Sequence, residues 1–106
     1  MQDYVKIAKI SDFKDVSIRS YSLIGKKIGV IKRADGTFYA MDVACKHQGA
    51  DLTKGSVINN IATCPRHKWQ YDLETGECLN HDSPVLRRYP LKLKDDIIFV
   101  KLIPEI

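Results

Sequence analysis

The sequence predicts an all-β fold, a small antiparallel sandwich or barrel that carries an inserted two-loop subdomain. Three observations lead to this prediction. Short runs rich in β-branched and aromatic residues recur along the chain, and turns that contain glycine or asparagine separate them. No window shows the apolar period of an α-helix. At 106 residues the chain has room for one hydrophobic core, so residues 1–106 are predicted to form one domain.

The first half of the chain predicts four strands and the turns between them. A polar break at residues 11–15 separates the first two strands, and Gly25-Lys26-Lys27 is predicted to turn the chain between the second and the third. Asp35-Gly36 is typical of a tight hairpin, because both residue types tolerate a positive φ. The predicted strands are residues 4–10, 16–23, 28–32 and 38–43.

The second half predicts a hairpin, an outgoing strand and a closing pair of strands. Asn59-Asn60 is flanked by short apolar runs and fits a hairpin turn. Residues 69–73 form the outgoing strand, and residues 86–102 hold two strands around Lys94-Asp95-Asp96. The run 97–100 is apolar throughout and is predicted to be buried. Residues 42–82 are therefore predicted to form the inserted unit on a β base.

Four residues inside that unit have the chemistry of metal ligands. They occur in two pairs, Cys45-x-His47 and Cys64-x-x-His67, separated by sixteen residues. Thiolates and imidazoles bind zinc and iron–sulfur centres. Each pair is too closely spaced to lie on one regular face, so each is predicted to sit on a loop. A tetrahedral zinc site and a two-iron centre with one sulfur and one nitrogen from each loop both fit these residues.

Charge, apolar runs and cysteine count argue against several other classes of protein. The formal charge of +4 is mild, and without a basic stripe or a reader motif it does not favour nucleic acid. No apolar run approaches the roughly 20 residues of a membrane span, and the first residues do not resemble a signal peptide, so a cytoplasmic protein is expected. Three cysteines argue against a disulfide framework. Cys78 is expected to be a small buried residue, and His81 a solvated loop histidine.

With these pairs and their flanks the sequence resembles the Rieske-type [2Fe–2S] proteins. The flanks are Gly49-Ala50-Asp51-Leu52, Pro65, and Trp69-Gln70-Tyr71-Asp72-Leu73 with Gly76. The resemblance implies one [2Fe–2S] cluster, with Cys45 and Cys64 on one iron and His47 and His67 on the other. Because the oxidised cluster is then neutral, its potential is expected to lie in the range of about −150 to +300 mV, above the roughly −400 mV of plant-type ferredoxins.

The resemblance also concerns residues around the cluster. Respiratory members of the family have a disulfide at the positions of Ala50 and Arg66, so this chain lacks that link. They have a serine where Trp69 stands, and its hydrogen bond to the cluster cannot form here. Tyr71 is retained, and its hydroxyl is expected to reach a ligand sulfur. The stretch around Pro84 resembles the loop that covers the cluster. One lost donor suggests a potential in the lower part of the range.

The function that follows is that of a ferredoxin, a one-electron carrier rather than an enzyme. A flavin reductase is expected as donor, and an aromatic-ring or other Rieske oxygenase as acceptor. Catalysis in such oxygenases needs a second iron held by two histidines and a carboxylate, whereas His81 is the single histidine left over here. Lys46, Arg66 and Lys68 are candidates for partner docking. The alternatives left open are a zinc-stabilised binding module and a subunit of a respiratory or oxygenase complex.

Overall fold

The computed structural model describes residues 3–46, 49–66 and 68–103, and within them most of the regular secondary structure is β-strand. Two short 3-10 helices, Ile10–Phe13 and Leu52–Lys54, are the helical segments of this part of the chain. None of the described helices is long or apolar enough to cross a membrane. The strands are β1 (Tyr4–Lys9), β2 (Ile18–Leu23), β3 (Lys26–Lys32), β4 (Phe38–Asp42), β5 (Ser56–Ile58), β6 (Ile61–Thr63), β7 (Gln70–Asp72), β8 (Arg88–Tyr89), β9 (Leu91–Lys94) and β10 (Ile97–Lys101).

The strands form three sheets in which every neighbouring pair is antiparallel. The orders are β1-β10-β9, β2-β3-β4-β8 and β5-β6-β7. The third sheet lies within residues 56–72, inside the predicted insert, and the other two form the base. The all-β antiparallel prediction is therefore confirmed.

Two of the predicted hairpin turns form as their residues indicate. Asn59 and Asn60 both have positive φ, at 52° and 66°, which suits a two-residue connection between β5 and β6. In the turn between β3 and β4 the Asp35 carboxylate accepts hydrogen bonds from the backbone N–H and the hydroxyl of Thr37, and Gly36 takes a φ of 90°. Side-chain hydrogen bonds and left-handed residues thus set both turns locally.

Two predicted breaks between strands differ from the structure in detail. The break at residues 11–15 does lie between β1 and β2, but it is more structured than predicted. The polar break at residues 11–15 contains part of a 3-10 helix, because Phe13 is buried and packs edge-to-face on Phe38 with ring centroids 5.3 Å apart. The predicted turn at residues 25–27 falls earlier. Ile24 and Gly25 take the positive φ values, and Lys26 is already paired with Leu23 in β3.

The closing region also differs from its prediction. It contains three strands instead of two, since Arg88–Tyr89 forms β8 and pairs with β4 in the second sheet. The run 97–100 is not buried throughout. Ile98 and Val100 are fully buried, whereas Ile97 and Phe99 are half-buried. Although β10 is a central strand, one face of its sheet packs on the core and the other is partly open, as is common for antiparallel sheets.

A polar clamp joins the base to the insert. The ring of Tyr39 on β4 lies between the guanidinium groups of Arg33 and Arg88, whose central carbons are 4.2 and 4.3 Å from its centroid. Both arginines pair with Glu74, which follows β7, at 2.8 and 3.2 Å. The Tyr39 hydroxyl donates to the Leu73 carbonyl at 3.0 Å, and burial is the main cause that raises the pKa of Tyr39 to about 12. These contacts fix the insert on the base.

Candidate metal centre

The two cysteines lie at the same position in two loops with the same backbone hydrogen bonds. In the first cysteine loop (residues 45–50) the N–H of Cys45 donates to the Ala50 carbonyl, and the N–H of Gly49 donates to the Cys45 carbonyl, at 2.8 and 2.7 Å. In the second cysteine loop (residues 64–69) the N–H of Cys64 donates to the Trp69 carbonyl, at 2.7 Å. The N–H of Lys68 donates to the Cys64 carbonyl, at 3.2 Å. The two loops are therefore closed by the same pattern of backbone hydrogen bonds. Each loop connects two antiparallel segments.

Both cysteine side chains point into the protein. Cys45 and Cys64 are 2% and 1% exposed and belong to one cluster of buried residues that also holds Met41, Leu52 and Tyr71. The predicted partners His47 and His67 lie outside the described residues. The structure thus brings the two thiols into one buried region, and the histidine part of the predicted ligand set stays a prediction.

The two loops reach their shared closure with different residues at the fifth position. Gly49 has a φ of 71°, a conformation that glycine adopts freely. Lys68 occupies the matching position with a φ of 63°. A residue with a Cβ is strained in this left-handed region, at a cost of about 1–3 kcal/mol, and keeps it only where its surroundings hold it there. The second loop therefore needs support that the first does not.

A carboxylate anchors the end of the first loop to the base. Asp51 accepts hydrogen bonds from the Ser20 hydroxyl on β2 at 2.6 Å, and from the backbone N–H and hydroxyl of Thr53 at 2.9 and 2.7 Å. Burial opposes its ionised form. The hydrogen bonds from Ser20 and Thr53 and the charge of Lys27 outweigh that effect and lower the pKa of Asp51 from its ordinary value. This side chain also caps the 3-10 helix that follows.

One of the predicted docking cations, Lys46, forms an ion pair with Asp42. The ammonium of Lys46 lies 2.9 Å from the Asp42 carboxylate, and both side chains are largely covered. Asp42 in turn accepts a hydrogen bond from the N–H of Ala44 at 3.0 Å. The ion pair therefore reduces the net charge that Lys46 contributes to the surface. Arg66 and Lys68 of the second loop are exposed as well.

Tyr71 is fully buried, and its hydroxyl lies beside the first loop. The hydroxyl oxygen is 4.0 Å from the Cys45 sulfur, accepts from the N–H of Lys46 at 3.2 Å and lies 3.1 Å from the Ser83 hydroxyl. Burial is the main cause that raises the pKa of Tyr71, so the hydroxyl keeps its proton at neutral pH. In this structure the Cys45 thiol is the donor to the Tyr71 oxygen. A thiolate ligand can only accept, so with Cys45 bound to a metal the single proton of Tyr71 can be directed to the sulfur while Ser83 and Lys46 donate to its oxygen.

The segment of residues 78–86, here called the covering segment, lies against β7 and the second loop. The N–H of Leu79 donates to the Gln70 carbonyl at 2.7 Å. Pro84, expected near the cluster, is exposed, and the described contact with the site comes from its neighbour Ser83, whose hydroxyl meets that of Tyr71. Cys78 is half-buried against the main core cluster, where the sequence had suggested full burial.

Trp69 and His81 form a ring pair that the sequence did not predict. Their centroids are 4.3 Å apart and their planes 14° apart, so the rings are stacked. His81 is exposed, as expected of a loop histidine, but it rests on the indole instead of being free in solvent. Trp69 is half-buried and also packs against the core cluster.

The described residues fit an iron–sulfur centre. Two thiols at equivalent loop positions lie within one buried cluster, as paired ligands of a compact inorganic group must, and a hydroxyl is placed beside one of the sulfurs. Thiolate ligands, nearby hydrogen-bond donors and low solvent exposure are the features that tune such a centre.

Sequence reasoning missed three residues that shape this region. Asp51 had a usable signal, because aspartate is a preferred residue at a helix N-cap. Its long-range bond to Ser20 had none. Ser83 and Asn80 contact residues more than nine positions away in the chain, and a single sequence contains no local pattern for such contacts.

Comparison with known proteins identifies the family. The family model for the Rieske [2Fe–2S] domain matches residues 3–90. The ferredoxin component of the alkene monooxygenase system of Xanthobacter autotrophicus (strain ATCC BAA-1158 / Py2) is 25% identical over 99 residues, which are 92% of this chain and 80% of the relative. The oxygenase component of a 3-ketosteroid-9-alpha-monooxygenase from Rhodococcus rhodochrous is 33% identical over 76% of this chain, and the match spans 20% of that longer protein.

Solved structures show the same fold. A chain from the complex of reduced oxygenase and oxidized ferredoxin in carbazole 1,9a-dioxygenase superposes with a TM-score of 0.81 at 23% identity, covering 100% of this chain and 99% of that one. The ferredoxin of carbazole 1,9a-dioxygenase from Nocardioides aromaticivorans IC177 gives a TM-score of 0.76 at 22% identity over 93% of this chain and 97% of its own. With the family model covering most of its length, the chain belongs to the Rieske [2Fe–2S] domain family, and its cofactor is one [2Fe–2S] cluster.

Proposed function

We propose that Cys45, His47, Cys64 and His67 hold the cluster and that the protein carries single electrons from a flavin reductase to an oxygenase. The observation that carries this proposal is the pair of matching loops, which present two buried sulfurs from equivalent backbone positions. Each loop also contributes one histidine in the sequence, so each supplies one soft and one nitrogen ligand. When bound, the cluster accepts and returns one electron.

The relatives include a ferredoxin that resembles this chain over most of its length. The ferredoxin component from Xanthobacter matches over 92% of this chain and 80% of its own length, and the match to the oxygenase component spans 20% of that protein. The name of the first relative places it in a monooxygenase system, and one structural neighbour was solved in complex with an oxygenase. These relatives support an oxygenase as the acceptor. A cytoplasmic location suits the thiolate ligands and Cys78, since thiols stay reduced in that compartment.

Hydrogen bonding around the sulfurs supports a potential in the lower part of the Rieske range. Trp69 has no hydroxyl to donate, so the site depends on the Tyr71 hydroxyl, 4.0 Å from the Cys45 sulfur. A donor stabilises the electron-rich sulfur more strongly after reduction, and a site with fewer donors is harder to reduce.

The second cysteine loop supplies exposed cations for docking. Arg66 and Lys68 are exposed beside the ligand positions, and Lys46 of the first loop is paired with Asp42. Since the oxidised cluster is neutral, exposed cations dominate the local field. They would steer an acidic partner surface to the edge nearest the ligands.

Analysis of the purified protein tests the cofactor and the carrier role separately. We expect two iron and two sulfide per chain, a red-brown colour, and reduction by one electron. Zinc in place of iron would contradict the proposal. In the second arm the protein is reduced by a flavin reductase and mixed with an oxidised Rieske oxygenase. Transfer of one electron per chain supports the acceptor class, and a fully loaded protein that transfers none to any such oxygenase would contradict it.

A further inference from the structure

The carboxamide of Asn80 spans Trp69 and binds the backbone on both sides of it. Its Oδ1 accepts from the N–H of Gln70 at 3.0 Å, and its Nδ2 donates to the Lys68 carbonyl at 3.0 Å. The amide thus pairs with two peptide groups as a neighbouring strand would. Asn80 lies twelve and ten positions from these residues in the chain, so the contact is not a local turn.

Leu79 and His81, the two neighbours of Asn80, also contact the end of the second loop. The N–H of Leu79 donates to the Gln70 carbonyl at 2.7 Å, and the ring of His81 stacks on the indole of Trp69. Residues 79–81 therefore contact both the main chain and the side chain of the stretch that ends the second cysteine loop. We call these three residues the clasp.

The clasp acts where the second loop is strained. Lys68 has a φ of 63°, and its carbonyl is the one that Asn80 holds. Its N–H closes the loop on the Cys64 carbonyl, and the Trp69 carbonyl receives the N–H of Cys64. Any relaxation of Lys68 would therefore move the backbone on both sides of His67 in the chain and loosen the closure around Cys64.

We propose that Asn80, assisted by His81, is a positioning residue that holds the second cysteine loop in the geometry needed to retain the cluster. Asn80 acts through Lys68 and Trp69. The proposal rests on the proposed function in one respect, namely that Cys64 and His67 are ligands. The first loop needs no such device, because Gly49 takes the matching conformation without strain.

Substitutions of Asn80 and His81 test the clasp. Asn80→Ala removes both hydrogen bonds to the backbone, together with a longer contact from the Cys78 thiol at 3.8 Å. Asn80→Asp keeps the acceptor but turns an anionic oxygen toward the Lys68 carbonyl. We expect each to speed cluster loss to a chelator at least threefold, to shift the reduction potential and to alter the EPR spectrum of the reduced protein. His81→Ala should have a smaller effect of the same kind, and His81→Phe, which can still stack, should restore wild-type behaviour. Asp82→Ala, an exposed change on the same segment, is the matched control.

A double substitution separates positioning from general stability. If the clasp holds a strained Lys68, then Lys68→Gly removes the strain, and Asn80→Ala should change the rate of cluster loss far less in that background. Equal loss rates and potentials in wild type and Asn80→Ala would overturn the proposal. So would an Asn80→Ala effect that is undiminished with glycine at position 68. Wild-type protein that contains no iron would instead contradict the proposed function, so the two failures are distinguishable.

Discussion

The two cysteine loops have the same backbone closure but are supported by different parts of the molecule. The first has glycine at its left-handed position and is tied to the base by Asp51, which Ser20 of β2 and Thr53 bind. The second has a strained lysine there and is held by the covering segment through Asn80 and His81. The two loops thus reach the same backbone geometry by different means: an anchor to the base holds the first, and the clasp at the surface holds the second.

The different supports of the two loops correspond to two requirements of an electron carrier, which must fix its ligands and also bind a partner. The first loop ends against the base sheet, and its lysine is neutralised by Asp42. The second loop presents exposed cations, and its support comes from a segment that is itself largely exposed. We therefore expect the first loop chiefly to fix ligands and the second loop also to meet a partner. Four predictions test this contrast.

The largest effect is expected at the sulfurs themselves. Cys45→Ser and Cys64→Ser should each abolish cluster assembly, because the two cysteines occupy equivalent positions and neither loop can supply a second thiolate. Iron content and visible absorption measure the loss. Cys78→Ser is the control and should keep both. A Cys78→Ser protein without colour beside a red Cys45→Ser protein would show that the ligands are assigned wrongly.

Partner docking should depend more on the second loop than on the first. Arg66→Glu with Lys68→Glu should slow electron transfer with the reductase by about tenfold or more at low ionic strength, and the effect should shrink as salt is added. Stopped-flow kinetics from about 0.01 to 0.3 M salt measure this. Lys46→Ala should matter less, because its charge is already paired.

The matched control for docking is Lys6→Glu with Lys94→Glu. These lysines are exposed on β1 and β9 of the base, and their replacement changes the net charge equally. If this pair slows the reaction as much as the pair in the second loop, net charge alone explains the effect and the docking surface is refuted.

Removing the hydroxyl beside the first loop should lower the reduction potential. Tyr71→Phe deletes the donor 4.0 Å from the Cys45 sulfur, and we expect a fall of roughly 20–60 mV, a two- to tenfold change in the one-electron equilibrium constant. Redox titration measures it. Ser83→Ala removes a neighbour of that hydroxyl but no group near the sulfur, so its shift should be smaller. An unchanged potential in Tyr71→Phe would mean that the hydroxyl does not donate to the sulfur.

The smallest effect concerns the anchor of the first loop. Asp51→Asn should lower the free energy of unfolding by about 1 kcal/mol, since hydrogen bonds to a charged carboxylate become weaker bonds to an amide. Urea unfolding of the cluster-containing protein measures it. Asp15→Asn, at an exposed carboxyl, should change little.

The pH dependence of Asp51→Asn gives an independent check. Because the folded-state pKa of Asp51 lies below its ordinary value of 3.8, the ionised carboxylate stabilises the fold above that pH. This stability is lost as the pH falls from about 3.8 through the lower folded-state pKa. Wild type should therefore lose its advantage over Asp51→Asn in that acid range. A difference between the two proteins that is the same at all pH values would exclude the carboxylate as its source.

The sequence by itself determined the fold class, most strands and the sites of the two loops. These features depend on short-range chemistry. Apolar alternation marks the strands, Asn59, Asn60 and Gly36 take positive φ values in turns, and Asp35 binds Thr37 two positions on. The paired cysteine and histidine residues likewise indicate metal-ligand chemistry, because each pair lies within a few positions of the sequence. The errors fell where a distant partner decides, as when Phe38 buries Phe13 in a stretch that looks like a polar loop.

Only the tertiary structure decided what holds each loop and which charges remain exposed. Asp51 meets Ser20 across 31 positions, and Asn80 reaches Lys68 across 12. The Tyr39 clamp brings together Arg33, Arg88 and Glu74 from three separate segments of the chain. The sequence pattern of polar and charged side chains does not indicate which residues they bind, because a hydrogen bond depends on the distance between two atoms in space. Their roles become visible only after the sheets have brought distant segments together.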